Sequence, residues 1–461
     1  MLRNAFRSLS AHPAATAFAC LFLAGLFLAL LQGSKPFYFD SGNYWDLAAS
    51  FDAGGHFSLL NFEYTGLRGY ALPLTYFGLR ETGGHLGLGD THEVMVFNAA
   101  VMALIGGVLA PRLAEVAWPR RPWGLLRRLA LGLLLFVFWR GYLSYPLSDL
   151  PALAAALLAI VAVSSPTSPA WMALGGVATA YALNARPAYL LLVPLLLLLL
   201  FWDMWRQRRA AGSLRSRSLC LGLFVLGLTL VSLPQSLLSH RNLGDYSPIP
   251  GGNDLAGLQY TEGLRLQRYE TFVGNAPPQM EYLDPHTAGI LGGLEDGVVT
   301  GSSEYAGIVL SHPLTMAGVF LRHVVNGLDQ RYPTPYVERL ESPANKLLRF
   351  GGFLLVFLAL FRLAWRQGRR SLGPARWPLP VILLAASATS LPSAIETRFM
   401  LPAFVLASLV VIAPGWPSPL ETAERGPRRY RTLAVALLAG ILYFAIVNAI
   451  VSDATQHLRL V

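Results

Sequence analysis

Lysine, cysteine and charge are all scarce in this chain. Of its 461 residues only 13% are charged, about half the roughly 25% of a soluble globular protein. A cytosolic enzyme of this length and a disordered chain are both excluded, because each needs more charge than this. The two cysteines, Cys20 and Cys220, lie in apolar runs and have neither a disulfide framework nor metal-ligand spacing, which excludes a disulfide-built secreted scaffold. Only two of the 36 basic residues are lysines, leaving 34 arginines. No internal repeat and no low-complexity linker interrupts the sequence. No pair of histidines stands at the i, i+4 spacing of a zinc helix, although seven of the nine fall within residues 33–93 and 239–346. The carboxylates leave divalent-cation binding open, and no pattern here names a cofactor.

The chain does have apolar length. Apolar residues make up 54% and the mean hydropathy is +0.46, the composition of a polytopic membrane protein. A spanning helix needs about 20 mostly apolar residues. That window predicts spans at 14–32, 94–110, 129–145, 150–164, 170–184, 187–202, 219–238, 347–364, 377–393, 399–414 and 432–451. The first is longer than a signal-peptide core and is read as a retained helix.

The arginines encode orientation. The connections 111–128, 203–218, 365–376 and 415–431 carry Arg120-Arg121, Arg127-Arg128, Arg208-Arg209, Arg369-Arg370 and Arg428-Arg429. With eleven spans and a cytoplasmic N-terminus, all four connections fall inside, as the positive-inside rule requires. The net charge of +10 therefore marks topology rather than a nucleic-acid surface. Of the 26 acidic residues, only Glu115, Asp203, Glu421 and Glu424 fall on the cytoplasmic side. Residues 33–93 and 239–346 form two outer-face loop regions. The expectation is an all-α polytopic protein, with residues 1–461 forming one integral-membrane domain. The arginine bias points to a GC-rich bacterial genome and so to a bacterial inner membrane.

The most informative stretch follows the first span: Phe37-Tyr-Phe-Asp40-Ser-Gly-Asn-Tyr44-Trp-Asp46, then Ala48, Phe51 and Gly55-His56-Phe57. Residues 41–52 read as a helix, with Asp40, Tyr44, Leu47, Ala48 and Phe51 on one face. Asp46 lies six residues on, about 240° around the axis. Asp40 has two open readings: an N-cap, or a carboxylate held at the membrane surface to take a proton from a hydroxyl.

This stretch resembles the first-loop signature of GT-C glycosyltransferases, integral-membrane enzymes that use polyprenyl-phosphate sugars. The branch it is most similar to contains protein O-mannosyltransferases and aminoarabinose transferases. Leu67-Arg68-Gly69-Tyr70 and Pro73 stand where that branch has a Pro-rich pair; the tandem Pro-Pro is absent, and the family's Asp-Glu pair is here Asp40-Ser41. Three further motifs are similar to family elements: Tyr145-Pro-Leu-Ser-Asp149-Leu-Pro151, Asn184-Ala-Arg186-Pro187 and Glu396-Thr-Arg398-Phe399-Met-Leu-Pro402. Each also has a structural reading: Asp149 as a helix cap, Arg186 as a headgroup anchor, Glu396 and Arg398 as an ion pair.

The resemblance implies inverting transfer of one hexose or pentose from a polyprenyl-phosphate donor to a glycan, lipid or protein hydroxyl on the outer face. Asp40 would be the catalytic base, with Asp46 the other catalytic candidate; Tyr44, Arg68, Asp149, Arg186, Glu396 and Arg398 would bind substrate, with Arg186 and Arg398 on the departing phosphate. A second reading is a polysaccharide polymerase or O-antigen-ligase-like enzyme working through the late outer region, where His240, Arg241 and Arg322 would matter more. A transporter would place polar groups near the midplane of broken helices; here the midplane is almost uncharged, and Arg140, the main exception, lies nearer the outer end, which disfavours transport.

Overall fold

A computed structural model describes residues 11–456 and 458–460 except 65, 120–121, 166–167, 208–213, 252, 265–266, 272–278, 283–284, 338–341, 366–375, 377 and 415–427. Arg120, Arg121, Arg208, Arg209, Arg369, Arg370, Glu421 and Glu424 lie outside the described residues, as do the side chains of Arg428 and Arg429.

The helices in chain order are α1 (Pro13–Gln32), α2 (Phe39–Ala49), α3 (Ala71–Leu86), α4 (Asp90–Leu104, resumed after a π turn as Ala110–Ala117), α5 (Leu125–Trp139), α6 (Asp149–Ser164), α7 (Pro169–Ala185), α8 (Leu192–Gln207) and α9 (Leu214–Leu243). There follow α10 (Asn253–Gly263), α11 (Pro285–Gly292), α12 (Ser302–Ser311), α13 (Pro313–Gly327), α14 (Pro343–Ala364), α15 (Pro378–Thr389), α16 (Leu401–Ile412) and α17 (Arg428–Gln456). Proline stands in the first turn of α1, α7, α13, α14 and α16, where its missing N–H costs nothing. Ser168 and Ser342 cap α7 and α14 by accepting from the N–H groups of Trp171 and Asn345 at 3.3 and 3.1 Å.

Each of the eleven predicted spans coincides with a helix. Among the described residues six stretches are long and apolar enough to cross a membrane: Pro13–Gln32, Asp90–Ala117, Pro187–Trp205, Ser218–Leu243, Pro343–Ala364 and Ala434–Ser452. A seventh would be α12 with α13, which pass the same test together but are bent by 109° at His312-Pro313. This is the architecture of a multi-pass membrane protein. The remaining predicted spans, α5, α6, α7, α15 and α16, are helices of 12 to 17 residues.

The chain divides into two compact units. The first comprises Met1–Val116, Gly124–Leu255 and Trp377–Thr389. Within it α7 and α9 pack backbone to backbone. A β-carbon on Gly176 would lie 2.0 Å from the Phe224 carbonyl oxygen, and one on Gly227 would lie 2.1 Å from that of Ala173. Small residues that let helices approach this closely replace the hydrophobic drive that lipid cannot supply. Beyond Leu104 helix α4 widens into a π turn over Ile105–Leu109. There Gly107 crosses α1 so closely that a β-carbon would lie 3.0 Å from the Phe18 nitrogen. Arg128, buried on α5, donates to the Gly107 carbonyl at 2.9 Å and to Glu115 at 2.6 Å.

The second unit comprises Ala117–Trp123, Ala256–Arg376 and Ser390–Val461. Alongside helices that fit the all-α expectation it holds a small four-stranded sheet. Strands β1 (Gln267–Thr271), β2 (Gln279–Tyr282), β3 (Tyr336–Val337) and β4 (Leu458–Leu460) lie in the order β3-β1-β2-β4. β1 pairs antiparallel with β2 and parallel with β3, and β2 pairs antiparallel with β4. The core of this unit joins α13, α14 and α17 through Val325, Phe353, Val447 and Val451. Buried Arg362 donates to the carbonyls of Val410, Ala413 and Pro414 at 2.7, 2.7 and 2.9 Å, satisfying the open C-terminal end of α16.

Candidate functional site

Asp40 sits in the first turn of α2, not at its N-cap. The N-cap residue is Tyr38, and its N–H is taken by the Ser41 hydroxyl at 3.0 Å. The capping reading of Asp40 is thus corrected: the hydroxyl one residue on does that work. Phe39, just before it, adopts φ +47°, a left-handed conformation uncommon for a side chain of this size. The Asp40 carboxylate is turned inward, where its Oδ1 accepts from Arg68 Nη2. The Arg68 guanidinium also lies over the buried Tyr44 ring, 5.2 Å from its centroid. Side-chain exposures of 30% for Arg68 and 21% for Asp40 leave this pair within reach of solvent. Asp46 is exposed on the opposite face of α2, as the helical phase predicts.

The second pair is buried. Asp149 opens α6 after Ser148, and its Oδ1 accepts from Arg186 Nη1. Here the side chains are only 1% and 14% exposed. Arg186 is the C-cap residue of α7; its guanidinium turns into the unit onto Asp149. Asp149 Oδ2 is buried and accepts no hydrogen bond from the described residues, an under-satisfied acceptor that native interiors seldom leave.

The two pairs share one frame. Asn184, two residues before Arg186, accepts from the Ala71 N–H at 2.8 Å and donates to Gln235 Oε1 at 2.8 Å. Gln235 also accepts from the Tyr70 N–H at 3.3 Å, and its own amide donates to Ser239 at 3.2 Å. The segment carrying Arg68 is thereby fastened to the end of α7 that carries Arg186. Tyr76 on α3 donates to the Leu147 carbonyl at 2.9 Å, tying the same segment to the turn before Asp149. The Tyr70 hydroxyl donates to the Val231 carbonyl at 3.1 Å, and burial pushes its pKa up to about 12, so it stays a donor. Trp45 closes the other side of α2: its indole N–H donates to Asp90 at 2.9 Å, and Arg80 lies 5.0 Å from its ring centroid.

Other predicted residues have local partners. Arg241 donates to the Leu60 carbonyl at 2.8 Å, and exposed His240 stacks on Tyr246 with ring centroids 3.8 Å apart. In the second unit, Glu396 accepts from Arg398 at 2.8 Å, with side chains only 13% and 10% exposed. Arg398 also lies 5.6 Å from the Phe399 ring centroid. That pair matches the structural ion-pair reading. Arg322 is half-buried on α13.

Sequence reasoning missed several of these partners. Asn184 was noticed only as a neighbour of Arg186, and Gln235 was not noticed, because it lies inside an apolar helix. In the second unit it missed Asp329, fully buried between Arg331 at 3.2 Å and Arg349 at 3.4 Å. Burial pushes that carboxyl above the usual range, while the two arginines pull it back. The available signal was an acid two residues before an arginine, Asp329-Gln330-Arg331. Among the described residues no group of three or more His, Cys, Asp or Glu is arranged to hold a metal ion.

The half-exposed and buried Asp–Arg pairs can offer a carboxylate base and guanidinium anion sites on one polar frame. The sequence matches no protein-family model, and no curated protein matches it.

Proposed function

We propose that this chain is a GT-C-type glycosyltransferase of a bacterial plasma membrane, with about eleven spanning or half-spanning helices and its site on the outer face. The reading is supported by one observation above the others: Asp40–Arg68 and Asp149–Arg186 are held on a common Asn184–Gln235 frame. The donor is a polyprenyl-phosphate-linked hexose or pentose, and the acceptor is a hydroxyl of a glycan, lipid or protein.

In the proposed step the acceptor oxygen attacks the anomeric carbon from the face opposite the phosphate. The bond from that carbon to the phosphate oxygen breaks, and its electron pair leaves with polyprenyl phosphate. The acceptor proton passes to the Asp40 carboxylate, and configuration inverts. Negative charge grows on the departing phosphate, and the guanidinium groups of the first unit, Arg68 and Arg186, meet it. Arg398, matched locally by Glu396, is not needed for this step.

The test uses purified protein in lipid nanodiscs with a panel of polyprenyl-phosphate hexoses and pentoses and an envelope extract as acceptor. Wild type should release polyprenyl phosphate with one of the donors. Asp40→Asn should fold and lose about 10²–10⁴ of that rate, the usual contribution of a positioned base. Asp46→Asn, on the exposed face of α2, should retain it. A dead Asp46→Asn beside an active Asp40→Asn would move the base six residues along. Full activity in both, with loss at Arg241→Ala or Arg322→Ala, would favour the polymerase-like reading.

A further inference from the structure

The Asp40–Arg68 pair presents a conflict that the proposed reaction has to resolve. A carboxylate that already accepts a charge-assisted hydrogen bond from a guanidinium is a poorer proton acceptor. A guanidinium committed to a carboxylate is likewise a poorer phosphate ligand. Both groups are required, and each occupies the other.

The two ion pairs of the first unit differ in how readily they separate. The Asp149–Arg186 side chains are 1% and 14% exposed, and parting them would strand a buried charge. The Asp40–Arg68 side chains are 21% and 30% exposed, so water can take over part of the solvation as they part. Arg68 also has a second hold that does not involve Asp40, its position over the Tyr44 ring at 5.2 Å. A cation–π contact of this kind constrains the guanidinium plane without fixing which N–H bonds to which acceptor. Arg68 can therefore pivot on Tyr44 while its hydrogen bonds change partner. The backbone beneath it is fixed, since Ala71 N–H is held by Asn184 and Tyr70 N–H by Gln235.

We propose that Arg68 is shared competitively between Asp40 and the phosphate of the polyprenyl donor, so that donor binding draws the guanidinium off Asp40 and makes the carboxylate a better base. The proposal rests on the donor class put forward above. It makes Arg68 a phosphate-binding residue whose unbinding from Asp40 orders the reaction: donor first, then deprotonation of the acceptor.

Competition makes an unusual forecast for binding. Farnesyl phosphate serves as the probe, titrated into the full-length protein in phosphatidylcholine nanodiscs, with thermal melts confirming that each variant is folded. Asp40→Asn should bind it more tightly than wild type, by about fivefold or more, the low end of ordinary coupling between sites. Arg68→Gln should bind it more weakly. In the Arg68→Gln background, adding Asp40→Asn should change affinity by less than about twofold, because there is no guanidinium left to release. Should Arg68→Gln fail to fold, Arg68→Met, which keeps an apolar stem over Tyr44, takes its place.

Equal tightening by Asp40→Asn with and without Arg68 would mean simple removal of a repelling charge, and would overturn the sharing. So would unchanged or weaker binding by Asp40→Asn while wild type binds. Failure of wild type to bind farnesyl phosphate at all would instead remove the donor assignment itself, and the sharing with it.

Discussion

Gly69 and Asn184 stand so close that a β-carbon on the first would lie 2.3 Å from the side-chain oxygen of the second and 2.4 Å from its carbonyl oxygen. Both atoms belong to one of the most constrained points of the unit. Asn184 is buried at the end of α7, and its amide is engaged on both sides. The neighbour cannot move without releasing Ala71 or Gln235.

Gly69→Ala is therefore expected to lift the Arg68 segment off the frame. Overpacking of this kind costs about 1–3 kcal/mol, read as a lowered midpoint of thermal unfolding in detergent. Transfer activity should fall further than stability, by up to about 10²-fold, because small displacements of a positioned group have effects of that size. An alanine variant with wild-type midpoint and wild-type activity would show that the close approach carries no constraint.

Arg186→Ala should behave as a stability mutant as well as a binding mutant. It leaves the Asp149 carboxylate buried with neither oxygen paired, a loss of about 3–5 kcal/mol when one partner of a buried ion pair is removed. Asp149→Asn combined with Arg186→Gln should recover part of that loss, since no charge is then stranded. Recovery of folding without recovery of farnesyl phosphate binding would separate the two roles; recovery of both would leave Arg186 purely structural.

Asp329 sets a pH dependence of unusual sign for a carboxylate. Burial raises its folded pKa above the ordinary value of 3.8, against the pull of Arg331 and Arg349. The folded state then holds this proton more tightly than the unfolded chain does. Stability from this group is greatest at low pH and falls as pH rises from the ordinary carboxylate range through the raised folded value. Asp329→Asn cannot titrate, so its unfolding midpoint relative to wild type should improve as pH increases across that window. A relative midpoint that worsens with rising pH would show that the ion pairing outweighs burial.

Topology can be checked with single cysteines at His56 and Ser302, both exposed in the structure, after replacement of Cys20 and Cys220. Both should react with a membrane-impermeant maleimide in cells with a permeabilised outer envelope. Protection of either would reverse the assignment of residues 33–93 or 239–346 to the outer face.

Much of the helical scaffold was legible because apolar runs report helices in a membrane protein directly. All eleven runs became helices, and Asp40 and Asp46 fell on different faces as their spacing required. What the sequence concealed was partnership. Nothing local links Asp40 to Arg68, 28 residues on, or Asn184 to Gln235, 51 residues on. The cap of α2 was not legible because the helix starts two residues earlier than Asp40 suggests, at Tyr38, where the left-handed Phe39 follows. The sheet escaped notice because strands of two to five residues hold too few positions for a period of two to show.

The π turn at Ile105–Leu109 makes the helix from Asp90 to Ala117 a rod with two phases. Ahead of the turn, Asn98 faces the carbonyls of Tyr142, Leu143 and Tyr145. Beyond it, Glu115 faces Arg128. An unbroken α-helix advances by about 100° per residue, so deleting one residue from the wide turn would swing one of these ends by that angle while leaving the other seated. The wide turn therefore sets the angle between the end of the span that meets Tyr142 and Tyr145 and the end that meets Arg128.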